Sequence, residues 1–318
     1  MKRKSNISPA NQFSSNTERN FFTRILIYLE EMFPPSNVLF GLLFFISAWC
    51  GIALICHPLN GGLWPPKHVL LSGAFTITLM LLLLRIMDEL KDLETDPLYF
   101  PNRPVSRGDV HFTDLKCFSF FIVGLLFILN LFFTHANFMF LFVFGYACLM
   151  YKYFFLKERI SKNIQMALAT HNPISYLFFL YVLSIYKNNL SVPVHIGRVL
   201  LLGMIFLWFS MSWEIARKIK HPEDETRYQT YSMVLGLRLS LAIPIVLCTA
   251  SMAVIIYLYH DMFFGVTFLY MVAVYLFMLI TFLRFYKKQP IWFDLKKTTE
   301  IFIVNIQSIL VVEGILKI

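Results

Sequence analysis

Apolar residues in this chain gather into nine long, nearly charge-free runs separated by short polar stretches. The runs lie near 36–56, 67–87, 111–133, 137–156, 164–186, 196–216, 235–258, 262–285 and 298–317. Their lengths approach the roughly twenty residues that an α-helix needs to cross the hydrocarbon layer of a bilayer. A helix satisfies its own backbone polar groups in lipid, and these runs lack the period-two alternation of barrel strands. The pattern predicts an all-α polytopic membrane protein built as a bundle of nine transmembrane helices.

Ahead of the first run, Phe21, Phe22, Ile25, Leu26, Leu29, Met32 and Phe33 recur at helical spacing, with Arg24, Glu30 and Glu31 between them. This predicts an amphipathic helix over 21–33 lying in the membrane interface and stopped by Pro34 and Pro35. Residues 1–20 are rich in Ser, Asn and basic residues and lack the apolar core of a signal peptide. They read as a disordered cytosolic tail, which leaves 21–318 as one transmembrane domain.

Composition agrees with the pattern. Of 318 residues 58% are apolar and 15% charged, whereas a soluble domain carries about a quarter charged. The formal charge of +9 invites a nucleic-acid partner, but the placement of the charge removes the need for one. All of the 28 Lys and Arg except Lys67, Lys187, Arg198 and Lys317 fall in the N-terminal segment up to Arg24 or in and beside the connections after runs two, four, six and eight. By the positive-inside rule these connections and the N-terminus are cytosolic and the C-terminus lies outside, in a cell inner membrane or its organelle equivalent. The five cysteines, Cys50, Cys56, Cys117, Cys148 and Cys248, have no close pairing and read as packing residues.

The densest chemical signal follows run two. Asp88, Glu89, Asp92, Glu94 and Asp96 place five of the 19 acidic residues within one short stretch. On a continuing helix Asp88, Asp92 and Asp96 stack on one face about 6 Å apart, with Glu89 at its edge. Carboxylates so arranged repel and ask for a cation, and magnesium suits hard oxygen donors and shares its shell with phosphates. Pro97 is expected to end that helix, and Arg103 and Arg107 follow in Asn102-Arg-Pro-Val-Ser-Arg-Gly108. Arginine forks match phosphate geometry, so the two features together describe a metal-diphosphate site.

A second charged cluster follows run six: Glu214, Arg217, Lys218, Lys220, His221, Glu223, Asp224 and Glu225, with Thr230, Ser232 and Gly236 downstream. Tyr153 and Lys157, one turn apart after run four, add a third element on the same side.

Asp88-Glu89-x-x-Asp92-x-x-x-Asp96 with Arg103-Pro104 and Gly108 resembles the first signature of the UbiA superfamily of intramembrane prenyltransferases, N-D-x-x-D-x-x-x-D followed by R-P-x-x-x-G. The second cluster resembles that family's second aspartate-rich motif, and Tyr153 with Lys157 its Y-x-x-x-K element. The order of the three, after runs two, four and six, extends the resemblance over nearly the whole chain. Asp88 stands for the usual Asn and Glu89 for Asp; in the second motif Glu214, His221 and Glu225 replace Asp, and the stretch to Gly236 is about two residues short.

The resemblance implies a magnesium-dependent enzyme that moves an isoprenoid group from an allylic diphosphate donor to a small-molecule or lipid-soluble acceptor, often aromatic. It implies Asp88, Glu89, Asp92 and Asp96 as ligands of one magnesium ion, and Asp224, Glu225 and Glu214 as ligands of a second. Lys91, Arg103, Arg107, Tyr153, Lys157, Arg217, Lys218 and Lys220 then hold the diphosphate, with Asp92, Asp96 and Lys157 central to the chemistry. The 34 Phe and 15 Tyr offer polarisable walls for the apolar tail and a carbocation. Two alternatives stay open: a terpene cyclase of the same fold without an external acceptor, and a transporter or non-catalytic scaffold. Against a CDP-alcohol phosphotransferase, Leu93 follows Asp92 where that pattern needs Gly.

Overall fold

A computed structural model of the chain describes residues 19–56, 64–93, 95–190, 193–226, 228–260 and 265–317. Most of the expected tail, 1–18, and Glu94 lie outside the described residues. The described residues contain helices and no strand.

Helix α1 (Phe21–Met32) is started by Asn20, whose side-chain carbonyl accepts the Thr23 N–H at 2.9 Å. Eight stretches are long and apolar enough to cross a membrane. They are α2 (Pro35–Cys56), α3 (Lys67–Lys91), α5 (Phe112–Leu129) with the π-helical turn Asn130–Thr134 that extends it, and α8 (Ile164–His171) running into α9 (Pro173–Asn189). The others are α10 (Ile196–Ala216), α12 (Leu237–Tyr259), α13 (Val266–Tyr286) and α14 (Leu295–Lys317). Short helices α4 (Asp96–Tyr99), α7 (Lys157–Ile160) and α11 (Tyr231–Leu235) lie between them.

The expected fourth span differs. Instead of reaching residue 156 it is α6 (Asn137–Tyr151), 15 residues or about 22 Å at 1.5 Å per residue, against a hydrocarbon core of about 30 Å. The chain then turns through a 3₁₀ segment, Tyr153–Phe155. Among the described residues the bundle thus has eight helical stretches of full spanning length and one shorter apolar helix. The fifth span breaks where Asn172 precedes Pro173, because proline at the first turn of α9 cannot continue α8.

Helix α2 is the centre of the bundle and packs against α3, α9, α10, α12 and α14. Trp49, Phe45, Tyr186, Phe179 and Phe206 fill the interior around it. Close approach depends on small residues: a Cβ at Gly73 would stand 2.4 Å from the Phe45 ring, and one at Gly314 would stand 2.5 Å from Cys50 Cβ. Asn130, fully buried in the π-turn, donates to Thr76 Oγ1 (3.0 Å) and Leu126 O (2.8 Å), and accepts from Tyr181 (2.6 Å) and Thr134 (3.1 Å). This satisfied network joins α3 and α9 through the turn. Outward-facing Phe120, Phe121, Phe132, Phe138, Val266 and Leu269 are exposed, as lipid contact requires.

The two ends of the bundle differ in chemistry. At one, Asn188 and Asn189 donate to the carbonyls of His135 (2.6 Å) and Thr134 (3.1 Å), and Arg198 donates to Leu258 O (2.7 Å). At the other, the connections that follow α3, α6, α10 and α13 meet, and nearly all the ion pairs are found there. Chain topology thus gathers the charged connections at one end of the bundle.

Candidate active site at the charged end

Helix α3 ends at Lys91, and Asp92 caps it, its N–H reaching Asp88 O at 3.1 Å. Asp96 opens α4, with its N–H on Asp92 O at 2.8 Å and Pro97 directly after it. The expected stacking of three carboxylates on one continuous helix is therefore corrected. Asp88 and Glu89 sit on the last turn of α3, Asp92 at its cap and Asp96 across a turn, and Pro97, expected to end the helix, instead lies in the first turn of α4, where a proline needs no N–H partner.

Arg103 gathers two of these acids. Its guanidinium pairs with Asp96 and with Glu89 (3.3 Å), and it lies 3.9 Å from the centre of the Phe100 ring. Glu89 is 2% exposed and is also held by Arg85, one turn earlier in α3. A small cavity of about 90 Å³ lies beside this pair, lined by Glu89, Leu93, Asp96, Pro97, Val105 and Ser106. Asp88, half exposed, binds Lys91 at 2.7 Å. Lys91 in turn reaches His171 Nε2 (3.3 Å) at the end of α8 and lies 4.9 Å from the Tyr153 ring centre.

Tyr153 closes the network by donating its phenol hydrogen to Asp92. Burial pushes the Asp92 carboxyl above its ordinary range, and the hydrogen bond from Tyr153 pulls the other way. The Tyr153 phenol, buried and bonded to a carboxylate, stands well above its ordinary value. Three consecutive residues, Tyr153, Phe154 and Phe155, have φ of 50°, 51° and 60°, a left-handed turn without a single glycine.

The second cluster reaches the first through aromatic rings. Glu214, on the last turn of α10, holds Arg217 (2.6 Å) and Lys218 (2.9 Å). Lys218 lies 5.6 Å from the Tyr228 ring, and Tyr228 packs edge-on against Tyr99 (5.7 Å) and Phe100 (5.5 Å) of the first loop. Asp224, in the 3₁₀ turn Pro222–Asp224, donates its N–H to His221 O at 2.9 Å, and Glu225 accepts from Thr230 at 3.4 Å. Lys220 is fixed through its N–H on Ser232 Oγ (3.0 Å). Neighbouring Glu223 pairs with Lys288 (2.6 Å) from the connection after α13. His221 stacks on Phe285, ring centres 4.2 Å apart and 18° from parallel, so its ring is used for packing.

The structure thus joins Asp88, Glu89, Lys91, Asp92, Asp96, Arg103 and Tyr153 in one contact network, and brings Glu214, Arg217 and Lys218 to its edge. Lys157 is exposed at the start of α7. Arg107 faces α1, where its partner is Glu31. Sequence reasoning missed Arg85, His171, Phe100 and Tyr228. His171 carried a signal, an ionisable residue interrupting an apolar run; the two rings carried none.

The donor set is made of oxygen atoms, which fits magnesium. Among the described residues no three His, Cys, Asp or Glu side chains converge to hold a metal by themselves. Magnesium is commonly held by one or two carboxylates, with phosphate oxygens and water completing its shell.

Residues 44–305 match the UbiA prenyltransferase family. Two solved structures share the fold. One, an apo structure of a UbiA homolog from Aeropyrum pernix K1, is 15% identical with a TM-score of 0.61, covering 88% of this chain and 98% of that one. The other comes from work on digeranylgeranylglyceryl phosphate synthase in membranes; it is 17% identical with a TM-score of 0.57, covering 93% of this chain and 98% of that one. No curated protein sequence is a significant match. With the family matched over residues 44–305 and the fold shared with two solved structures, the chain belongs to the UbiA prenyltransferase family and is an integral membrane prenyltransferase.

Proposed function

We propose that the charged end binds an allylic isoprenoid diphosphate with magnesium and that the chain transfers the isoprenoid group to a lipid-soluble acceptor, releasing diphosphate. The observation that carries this reading is the meeting of the two charged loops through Tyr99, Phe100 and Tyr228, with Tyr153 reaching in from a third connection. The charge pattern supports a cytosolic position for this end and an outer C-terminus.

An allylic C–O bond breaks when negative charge on the departing diphosphate is stabilised, so fixed cations and dipoles aimed at it are the main need. Magnesium, when bound, supplies positive charge to the phosphate oxygens. Asp92 and Asp96, with Asp88 beside them, are the residues to hold it, and Glu89 keeps Arg103 in place. Asp224, Glu225 and Glu214 are proposed for a second ion, with Lys157, Arg217 and Lys220 beside the phosphates. Arg103, Lys91 and Lys218 face the leaving group with donors already oriented by their acidic partners. The apolar chain of the donor is proposed to lie between helices in the bilayer, along aromatic side chains of the bundle.

Membranes containing the protein, incubated with labelled prenyl diphosphates of several lengths and a panel of aromatic and lipid-alcohol acceptors, test the reading. A prenylated acceptor formed only with magnesium is the expected product. A cyclised hydrocarbon formed without acceptor would replace transfer by cyclisation, and no diphosphate release under any condition would refute the reading.

A further inference from the structure

We propose that α1 is a positioning element of the diphosphate site: its Arg24, Tyr28 and Glu31 face clasps the loop that carries Arg103, and Arg107 belongs to that clasp instead of to the substrate. The inference rests on the function proposed above.

Arg24, Tyr28 and Glu31, spaced four and three apart, fall on one side of α1. All three point at the segment that follows the acidic cluster or at the cluster itself. Arg24 forks onto Asp114 (2.6 and 2.9 Å), and Asp114 also caps α5 by accepting the His111 N–H at 3.1 Å. Glu31 takes a two-pronged pair from Arg107, one prong at 3.0 Å. Arg107 also donates to Asp109 and to Asn102 O (2.8 Å). Four of its five N–H donors are engaged and only one Nη2 hydrogen is left, so a phosphate held by more than one bond has to displace an existing partner. Arg103, by contrast, reaches inward to Glu89 and Asp96.

The two arginines are mechanically linked. The Arg107 N–H donates to Arg103 O at 3.0 Å, and the N–H groups of Asp109 and Val110 close on Pro104 O at 2.9 and 3.3 Å. Gly108, at φ +83°, permits the reversal. A pull on Arg107 is therefore transmitted to the backbone of Arg103 within one tight turn. Tyr28 supplies the floor. It is fully buried, its hydroxyl has no hydrogen-bond partner, and it lies in the field of Arg85, Glu89 and Arg103. The opposite side of α1 exposes Phe22 and Leu26. One helix thus has a lipid-facing side and a side dedicated to the loop.

The test uses the full-length protein in nanodiscs with magnesium, a prenyl diphosphate and an acceptor that the wild type turns over. Glu31→Arg and Arg107→Glu alone should each raise KM for the donor about tenfold with a smaller effect on kcat, as expected for a displaced contact. The double exchange Glu31→Arg/Arg107→Glu should return KM to within about threefold of wild type. If the exchange stays as impaired as Arg107→Glu, Arg107 acts on the substrate and the clasp is refuted; a Glu31→Arg variant with wild-type KM refutes it equally. Should a reversed charge prevent folding, Glu31→Gln, Arg107→Gln and their combination replace the set. Equal, non-additive losses support the clasp and additive losses overturn it. Hydrogen exchange over 102–110 supplies a readout that needs no turnover: Glu31→Gln should accelerate it, and unchanged exchange would sink the clasp. A wild type inactive with every donor refutes the proposed function, while exchange still decides the clasp.

Discussion

The Tyr153 phenol donates a hydrogen bond to the Asp92 carboxylate, tying the turn after α6 to the cap of α3. Both groups are partly buried, so the bond sets how readily Asp92 ionises. Burial raises its pKa and the Tyr153 bond lowers it; removing the bond raises it further. The working form is the carboxylate, so Tyr153→Phe should move the acid limb of the kcat/KM profile to higher pH, since that parameter reports the free enzyme. A Tyr153→Phe profile that overlays the wild type would show that the bond has no catalytic bearing.

Asp92→Asn keeps the shape of the cap and removes the charge. Diphosphate release should fall about 10²–10³-fold, the range for losing a group that stabilises developing charge, while helicity by circular dichroism stays at the wild-type level. Chelation should silence the wild type to the same degree, with activity restored by added magnesium. Full activity in Asp92→Asn would remove this residue from the metal site.

His221 stands where the family motif has an acid, yet its ring lies flat on Phe285. Replacing it by Leu preserves the packing surface, so transfer rates should stay within about threefold of wild type, with a stability change of about 1 kcal/mol or less. A loss of several hundred-fold would place the imidazole among the catalytic groups.

Asn130 probes the scaffold away from the chemistry. Asn130→Leu leaves Tyr181 and Thr76 without their partner and should cost about 1–2 kcal/mol, the upper range for a hydrogen-bonded contact between membrane helices. Denaturation in mixed micelles measures this, and the kcat of the folded fraction should be unchanged. Wild-type stability would mean that Tyr181 and Thr76 find other partners.

Long-range structure divides what could be read from the sequence from what could not. Spans were legible because apolar runs of the right length have few alternatives in lipid; Ile196–Ala216 coincides with its expected limits. Residues 152–156 were misread as helix because apolarity says nothing of a left-handed turn, which depends on the handedness of Tyr153, Phe154 and Phe155 and not on their hydrophobicity. The acids around Asp92 were found from their density, but the end of α3 at Lys91 was not, since no Gly or Pro marks it. The amphipathic reading of α1 saw its lipid side and missed its loop side, because Glu31 and Arg107 meet across 76 residues and such a pair leaves no local pattern.

The three left-handed residues also hold a reserve of stability at one corner of the chain. Each costs about 1 kcal/mol or more in a side-chain-bearing residue, and Phe155 regains little through packing, being 78% exposed. Phe155→Asn, which tolerates this torsion, should raise the melting temperature. The same substitution firms the torsional frame that aims Tyr153, so the hardier variant is expected to keep the Tyr153 hydrogen bond to Asp92.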